Sequence, residues 1–316
     1  MNEVATTILD RSGGLSPRHA GTMVSMKRLK PLAAFLLLCL SAAAQDAYRT
    51  SVDAWHANRV ARLAAEDGWL SLIGRDWLRP GENTLGSAPG STVLLPAWAA
   101  PAKAGLLTLE GTTVRFRPAP DSGLLLNGKP AVEADLKSDA EGQPDVLQAG
   151  RVKLYVIRRG DRFGIRLKDS ENPARKAFHG VPRYPVDPSC RVEADFTPYA
   201  TPQTRAIPTV LGTSEPMTAP GLLTFKVNGH EVTLEPMVED SELFLIFKDG
   251  TSTKGTYPAG RFLYADLPKN GKVILDFNRA INPPCAFTIF ATCPLPPKQN
   301  QLGIDIRAGE KDPGLH

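Results

Sequence analysis

The sequence predicts a mainly β protein: an N-terminal helix, then a β-sandwich, then a second small β-barrel or sandwich domain. Three observations predict it. The 316 residues include 28 prolines and 27 glycines, a skew that favours short strands joined by many turns. After Gly68 the apolar residues fall in short runs that alternate with polar ones, the period of a half-buried strand. Asn-Gly lies between such runs at 127–128 and again at 228–229, and this dipeptide tolerates the positive φ that both central positions of a type I′ turn need. The chain exceeds the roughly 100–200 residues usual for one domain, so two cores are expected.

Taken in order, the chain opens with a polar stretch, residues 1–25, upstream of what reads as a complete export signal. That order predicts an erroneously assigned start, with translation beginning at Met23 or Met26. Lys27, Arg28 and Lys30 precede the apolar run Pro31-Leu-Ala-Ala-Phe-Leu-Leu-Leu-Cys-Leu40, and Ser41-Ala-Ala-Ala44 follows. A basic end, about ten apolar residues and an A-x-A site make a secretory signal, too short for the ~20 residues of a spanning helix. A signal peptide over residues 26–44 is expected, cleaved after Ala44, which makes the protein secreted or periplasmic and not an integral membrane protein. A retained anchor is the alternative, disfavoured by the abrupt stop at Gln45-Asp46. Leu38 stands where a lipoprotein would carry a small residue before Cys39.

Residues 45–68 are predicted to be helical, because Tyr48, Val52, Trp55, Val60, Leu63 and Ala64 fall near helical spacing with Arg59 and Arg62 on another face. Gly68 ends the helix and Trp69 is expected to pack beneath it. Strands are predicted at 69–73, 84–85, 91–95, 106–109, 113–116 and 124–126, and a hairpin joins 152–157 to 163–167 across Arg159-Gly160-Asp161. Short strands at this spacing predict a sandwich over residues 69–168. Residues 169–218, rich in Pro, Arg and aromatics, read as an ordered crossover. Seven further strands are predicted in the C-terminal β domain, residues 219–311: 222–227, 230–234, 243–247, 261–264, 272–277, 286–291 and 303–307.

Charge excludes one class of partner. Residues 1–44 hold five basic and two acidic side chains, leaving 37 − 5 = 32 basic and 33 − 2 = 31 acidic residues in the mature chain. A balance of +1 without a basic run predicts no nucleic-acid partner. Three cysteines remain, Cys190, Cys285 and Cys293, in a compartment that permits disulfides. Were 285–293 one extended strand, the two sulfurs would share a face yet stand ~26 Å apart at ~3.3 Å per residue. Buried free thiols and a disulfide joining two of the three both stay open. No C-x-x-C or H-x-x-x-H spacing supports a metal, and no cofactor is implied.

The passage Leu275-Asp-Phe-Asn-Arg-Ala-Ile-Asn-Pro-Pro-Cys-Ala-Phe-Thr288, with Ala291-Thr-Cys-Pro-Leu-Pro-Pro297 and Asn300, resembles DUF1684, a bacterial family of unknown function. The likeness extends to Asp67-Gly-Trp-Leu70, Arg162-Phe-Gly-Ile-Arg166, Phe178, Tyr184-Pro185, Thr256-Tyr257, Gly260-Arg-Phe-Leu263 and Ala308-Gly-Glu310. It implies no particular chemistry. Gly81-Glu-Asn-Thr-Leu-Gly-Ser87, Val93-Leu-Leu95 and Leu126-Asn-Gly-Lys129 are similar to the pattern of forkhead-associated (FHA) sandwiches, which bind phosphothreonine. Ser87 stands where that family places an arginine, and Ala100-Pro-Ala-Lys-Ala-Gly105 replaces its serine-arginine-x-histidine loop. Phosphopeptide binding therefore lacks its physical basis here.

Tyr257, Arg261, Asp276, Asn278, Asn282 and Cys285 lie among apolar and proline residues, where polar groups must bond one another or serve a ligand. On 272–277, Val273, Leu275 and Phe277 share one face, so Ile274 and Asp276 share the other. If both faces are covered Asp276 needs a buried partner, and Arg261 is the first choice. The pair reads either as a small-ligand cleft or as a structural ion pair with Asn-Pro turns. As a cleft it predicts that Arg261→Ala weakens binding with little change in thermal midpoint. Cys285 could serve as a nucleophile only with a base, and His179 and His230 could approach only through folding. Arg158, Arg159, Arg162, Arg166 and Arg175 suggest an anion site, diluted by Asp161, Asp169 and Glu171, and solvated hairpin charges are the simpler account. The function expected is a noncatalytic module of the cell envelope that binds a small molecule or an envelope component. The alternative is a hydrolase or other enzyme using Asp276 and Cys285 with a distant His.

Overall fold

The short alternating runs resolve into four sheets in a computed structural model of the chain, which describes residues 29–315, with side chains from residue 43. The expectations for residues 1–25 and for the basic start of the leader lie outside the described residues. The chain divides into two units, Met1–Asp46 and Ala47–His316, and the described part of the first is helical.

The helix runs Leu29–Leu63. No described helix is long and apolar enough to cross a membrane. Beyond residue 47 its buried stripe is Val52, Arg59 and Leu63, with His56 half-buried between them, a spacing of four, three and four that follows the 3.6-residue turn. Arg59, expected on a different face from the apolar residues, lies in the stripe, because Glu310 and the Asn282 carbonyl receive its guanidinium. The helix stops at Leu63, short of the expected end at Gly68, and turns cover residues 64–68; Gly68 has a steric role there. A Cβ there would stand 2.4 Å from the Arg62 carbonyl oxygen and 2.5 Å from that of Leu63, so only glycine lets the chain fold back onto the helix end. Trp69 then packs against Leu63 and Leu70. The strand predicted at 69–73 begins only at Leu72, after a 3-10 turn over Trp69–Ser71.

The first sandwich pairs a six-stranded with a five-stranded sheet. In the six-stranded sheet the order is Leu72–Trp77, Arg162–Asp169, Val152–Arg159, Val146–Ala149, Leu125–Leu126 and Lys129–Pro130. The five-stranded sheet runs Val93–Leu94, Gly81–Gly86, Gly105–Glu110, Thr113–Pro118 and Ala134–Leu136. Leu85, Leu107 and Phe116 from one sheet meet Leu154, Val156 and Ile165 from the other, each such side chain contributing roughly 1.5–3 kcal/mol by burial. The Asn127-Gly128 turn has φ of 51° and 78°, the positive pair that the dipeptide predicts. The 152–159/162–169 hairpin closes in register at Arg159 and Arg162 around Gly160.

The second core lies between a four-stranded sheet, His230–Leu234, Ser214–Val227, Arg191–Pro208 and Lys272–Asp276, and a three-stranded sheet, Met237–Glu239, Glu242–Phe247 and Arg261–Ala265. Both are open antiparallel sheets rather than a closed barrel. Leu243, Leu245 and Phe247 point into the core with Leu223, Phe225 and Phe277, while Phe244 and Ile246 meet Ile207, Met237 and Cys293 on the other side. A strand buried on both faces needs no polar position, which accounts for the unbroken Leu243–Phe247 run.

Three segments depart from expectation. The Pro/Arg-rich stretch read as a crossover carries the long strand Arg191–Pro208. Its ladder with Ser214–Val227 slips between Pro198 and Gln203, and its other edge is paired only over residues 191–195, so Pro198, Pro202 and Pro208 interrupt no second ladder. Residues 286–291 are not a strand. Pro283 and Pro284 preset helical φ at the start of a 3-10 turn, Pro284–Ala286, and Phe287 and Thr288 both donate back to the Pro284 carbonyl. Residues 303–307 join no ladder, touching their surroundings through single bonds such as Gly250 N to Ile304 O at 2.7 Å.

Candidate functional site

The six polar residues singled out by sequence fall into four settings, Arg261, Asp276 with Asn278, Asn282, and Tyr257 with Cys285, each bonded to protein groups. Arg261, 1% exposed, does not pair with Asp276. Its Nη2 donates to the Asp249 carboxylate and, at 3.0 Å, to the Ile306 carbonyl, while Nη1 donates to the Ala308 carbonyl. The reason is register: Phe247 is the cross-strand partner of Arg261, and the chain leaving Phe247 carries Asp249 to the guanidinium. Asp276 instead accepts from the Tyr48 hydroxyl at 2.7 Å and from Asn278 N at 3.2 Å. Asn278 also donates to the Asp187 carbonyl at 2.8 Å, so Asp276, Asn278 and Tyr48 latch the helix to the four-stranded sheet. The face that Ile274 shares is open, with Ile274 40% exposed, and Asp276 needs no buried cation.

Asn282 belongs to a third group. Its amide donates to Glu310 Oε2 at 2.6 Å, its carbonyl accepts from Arg59 at 3.0 Å, and its side chain donates to the Lys311 carbonyl. Burial pushes the Glu310 carboxyl up, with Arg59 pulling it back only in part, and the same burial pushes the Arg59 guanidinium down. A lone contact of 3.4 Å does not offset the desolvation of both charges. Tyr257 and Cys285 come together, the hydroxyl donating to the Cys285 carbonyl at 3.1 Å.

An enzyme built on Asp276 or Cys285 needs a histidine beside one of them. Among the described residues no histidine hydrogen-bonds to either. His56 is the half-buried one on the helix; its Nε2 has no partner, and burial followed by the charges of Arg183 and Arg59 pushes its pKa down.

The unpaired charge lies elsewhere. On strand 162–169 Ile165 and Leu167 enter the sandwich core, so Arg166 projects from the opposite face, in cross-strand register with Arg75 and Tyr155. That face is covered. Arg75 Nη1 donates to the Ala291 carbonyl at 2.7 Å and Arg159 Nε to Thr292 Oγ1 at 2.9 Å, drawing residues 291–292 across it. Arg166 is 4% exposed. Among the described residues it makes one hydrogen bond, Nη1 to the Tyr155 hydroxyl at 3.3 Å, while Nε and Nη2 find no partner and no carboxylate pairs with it. Its guanidinium stands 5.1 Å from the Trp69 ring centroid and 5.9 Å from that of Tyr155, contacts that offset only part of the desolvation. Burial, followed by the charges of Arg166 and Arg162, pushes the neighbouring Arg75 down.

Arg166 lines a cavity of about 400 Å³ with Arg59, Arg62, Asp67, Trp69, Tyr155 and Lys168. The helix end supplies Arg59 and Arg62, the turn after it Asp67 and Trp69, and the sandwich the rest. Four cations face one carboxylate, and Lys168 is turned toward the Asp67 carbonyl. An anion is the chemistry this lining lacks. Sequence periodicity places Arg166 outward; nothing in the local sequence says that the outward face is covered, which is why solvated hairpin charge was the simpler expectation.

Residues 176–311 match the family model described as "Protein of unknown function (DUF1684)". None of the curated proteins matches the chain. Among solved structures, the chain is similar to an uncharacterized protein of Haloarcula marismortui known from solution NMR, 30% identical over 45% of this chain and 81% of that one, with a TM-score of 0.38. It also aligns with a chain from a study of phosphothreonine-dependent FHA domain interactions, 17% identical over 30% of this chain and 92% of that one, with a TM-score of 0.22. At those scores neither superposition bears on the fold or the site.

Proposed function

Taking residues 176–311 as a DUF1684 region, we propose that the protein is a noncatalytic binding module of the cell envelope whose ligand is a small anion bearing phosphate or carboxylate groups. The observation that carries this reading is Arg166: a guanidinium 4% exposed, without a carboxylate, with two nitrogens unpartnered, at the wall of a cavity. An unpaired buried charge is costly, and an oxyanion in the cavity that Arg166 lines would compensate it. The volume suits a small molecule, and Trp69 and Tyr155 offer ring faces for its body. The lining supplies charge and stacking but no nucleophile beside a base. Export is part of the proposal: the leader over residues 26–44 delivers the mature chain from Gln45, and amino-terminal sequencing of the secreted protein tests that part separately.

The binding test is a thermal-shift titration of the full chain with inorganic phosphate, sulfate and citrate, with sodium chloride as the ionic-strength control. A ligand at 100 times its Kd adds about 2.7 kcal/mol of apparent stability. Wild type is expected to gain with at least one of the three anions beyond the chloride control, and Arg166→Gln to lose that gain. No gain with any of the three, or a full gain in Arg166→Gln, refutes the assignment.

A further inference from the structure

Cys285 and Cys293 flank the stretch expected to be a strand. The 3-10 turn at Pro284–Ala286 bends it and returns residue 293 to residue 285. The Cys285 amide donates to Cys293 Sγ at 3.2 Å, which sets the two cysteine residues against each other. Cys293 is 4% exposed and Cys285 half-buried. The third described cysteine, Cys190, lies in the second core, 3% exposed, among Leu275 and Phe277, so the odd count divides into one adjacent pair and one isolated thiol.

We propose that Cys285 and Cys293 are a dithiol–disulfide site, oxidised by thiol–disulfide exchange with a low-molecular-weight disulfide. The roles follow from the setting. Cys285 is the less buried residue of the two, and its thiolate attacks one sulfur of the external disulfide, expelling a thiolate and leaving a mixed disulfide on Cys285. Cys293 then loses its proton and attacks the Cys285 sulfur, expelling the second thiolate. The net change is one protein disulfide and two small thiols, with two electrons passed from the cysteine pair to the external disulfide. Donation from the Cys293 thiol, opposed by burial and aided by the Tyr257 hydroxyl, holds the Cys285 pKa below the usual thiol value, whereas the contact with Cys285 and burial push Cys293 up. The nucleophile and the resolving thiol are thereby distinguished. The site does not depend on the anion reading.

No Lys or Arg lies between Arg279 and Lys298, so trypsin releases both cysteines in one peptide, residues 280–298. The folded full chain is incubated with oxidised glutathione, quenched in acid, alkylated under denaturing conditions and mapped without reductant. The expected peptide has lost two hydrogens and takes up no alkyl group, while the peptide bearing Cys190 is alkylated in full. Cys293→Ser is expected to keep a glutathione adduct on Cys285, and Cys285→Ser to leave Cys293 alkylatable. Full alkylation of both cysteines in wild type, a glutathione adduct that never closes, or a bridge from either one to Cys190 overturns the proposal. Because the wild-type map answers the question alone, a variant that fails to fold leaves the test intact.

Discussion

Replacing Arg261 by Met strands the Asp249 carboxylate. The carboxylate is fully buried, and without the guanidinium its remaining donors are the amide and hydroxyl of Thr251. The carbonyls of Ile306 and Ala308 lose their Arg261 donor in the same step. Breaking one side of a buried pair costs about 3–5 kcal/mol, and each buried carbonyl left without a donor about 1 kcal/mol or more, so a loss of roughly 5 kcal/mol is expected. Across residues 47–316, an unfolding entropy of about 2.1 cal/mol/K per residue gives roughly 0.6 kcal/mol per degree, so Tm falls by about 8 °C.

Equilibrium unfolding in urea measures the loss, and the companion variants separate its sources. Asp249→Asn alone should also destabilise, and the double variant Arg261→Met/Asp249→Asn should recover part of the sum, because the isolated charge has gone. A loss below about 1 kcal/mol in Arg261→Met, or strict additivity in the double variant, refutes the account of Arg261 as an internal structural cation. The cleft reading of Arg261 predicts the opposite, binding lost at nearly constant midpoint.

Gly68→Ala should cost about 1–3 kcal/mol, since its Cβ would meet two backbone carbonyl oxygens at 2.4 and 2.5 Å; circular dichroism during thermal unfolding reads it, and an unchanged midpoint refutes the close approach. The side-chain hydrogen bonds from Arg151 hold the Asp169 carboxyl below its usual range, helped by the Glu171 amide. A depressed carboxylate adds stability above its unfolded value near 3.8 that is lost as pH falls through the lower folded value, so Asp169→Asn should flatten the acid limb of a stability–pH curve below about pH 4, and an unaltered limb refutes it. Arg166→Met, measured without added anion, should be as stable as wild type or more so by about 1 kcal/mol, and a large loss would mean that Arg166 already has its partner. Closing the Cys285–Cys293 loop should add about 2.5 kcal/mol by restricting the unfolded chain, read as a higher urea midpoint under oxidised than under reduced conditions.

Local rules were legible in the sequence where a local rule decides the outcome. Asn127-Gly128 and Asn228-Gly229 adopt positive φ at both positions because the turn chemistry sits within two residues. Val273 and Leu275 enter the core and Ile274 stays out because strand alternation admits no other arrangement. The partner of Arg261 was not legible, since periodicity fixes the face of a side chain and not what the neighbouring segment brings to it. Asp249 arrives just beyond Phe247, across from Arg261, and an acid just past the end of a partner strand is the one local signal that could have pointed to it. The approach of Cys285 and Cys293 was hidden by a stretch, residues 286–292, whose composition suits a strand. The two prolines before Cys285 were the available sign of a turn.

Arg59 shows why the cavity keeps an excess of positive charge. Its place in the buried stripe, between Val52 and Leu63, brings its guanidinium to Glu310 and the Asn282 carbonyl, so its charge already faces a carboxylate of the C-terminal segment, which offsets its burial in part. Asp67 is the only carboxylate of the lining, and Lys168 is turned toward its backbone carbonyl. Arg62 reaches the cavity from the exposed side of the helix, where water screens it. Arg166 is left as the buried cation of the lining that no carboxylate among the described residues answers. A fold that needed that position only for packing would be better served by Leu or Met, which fill similar space without the desolvation cost. The anion proposed as the ligand would bring the opposite charge to that guanidinium from outside the chain.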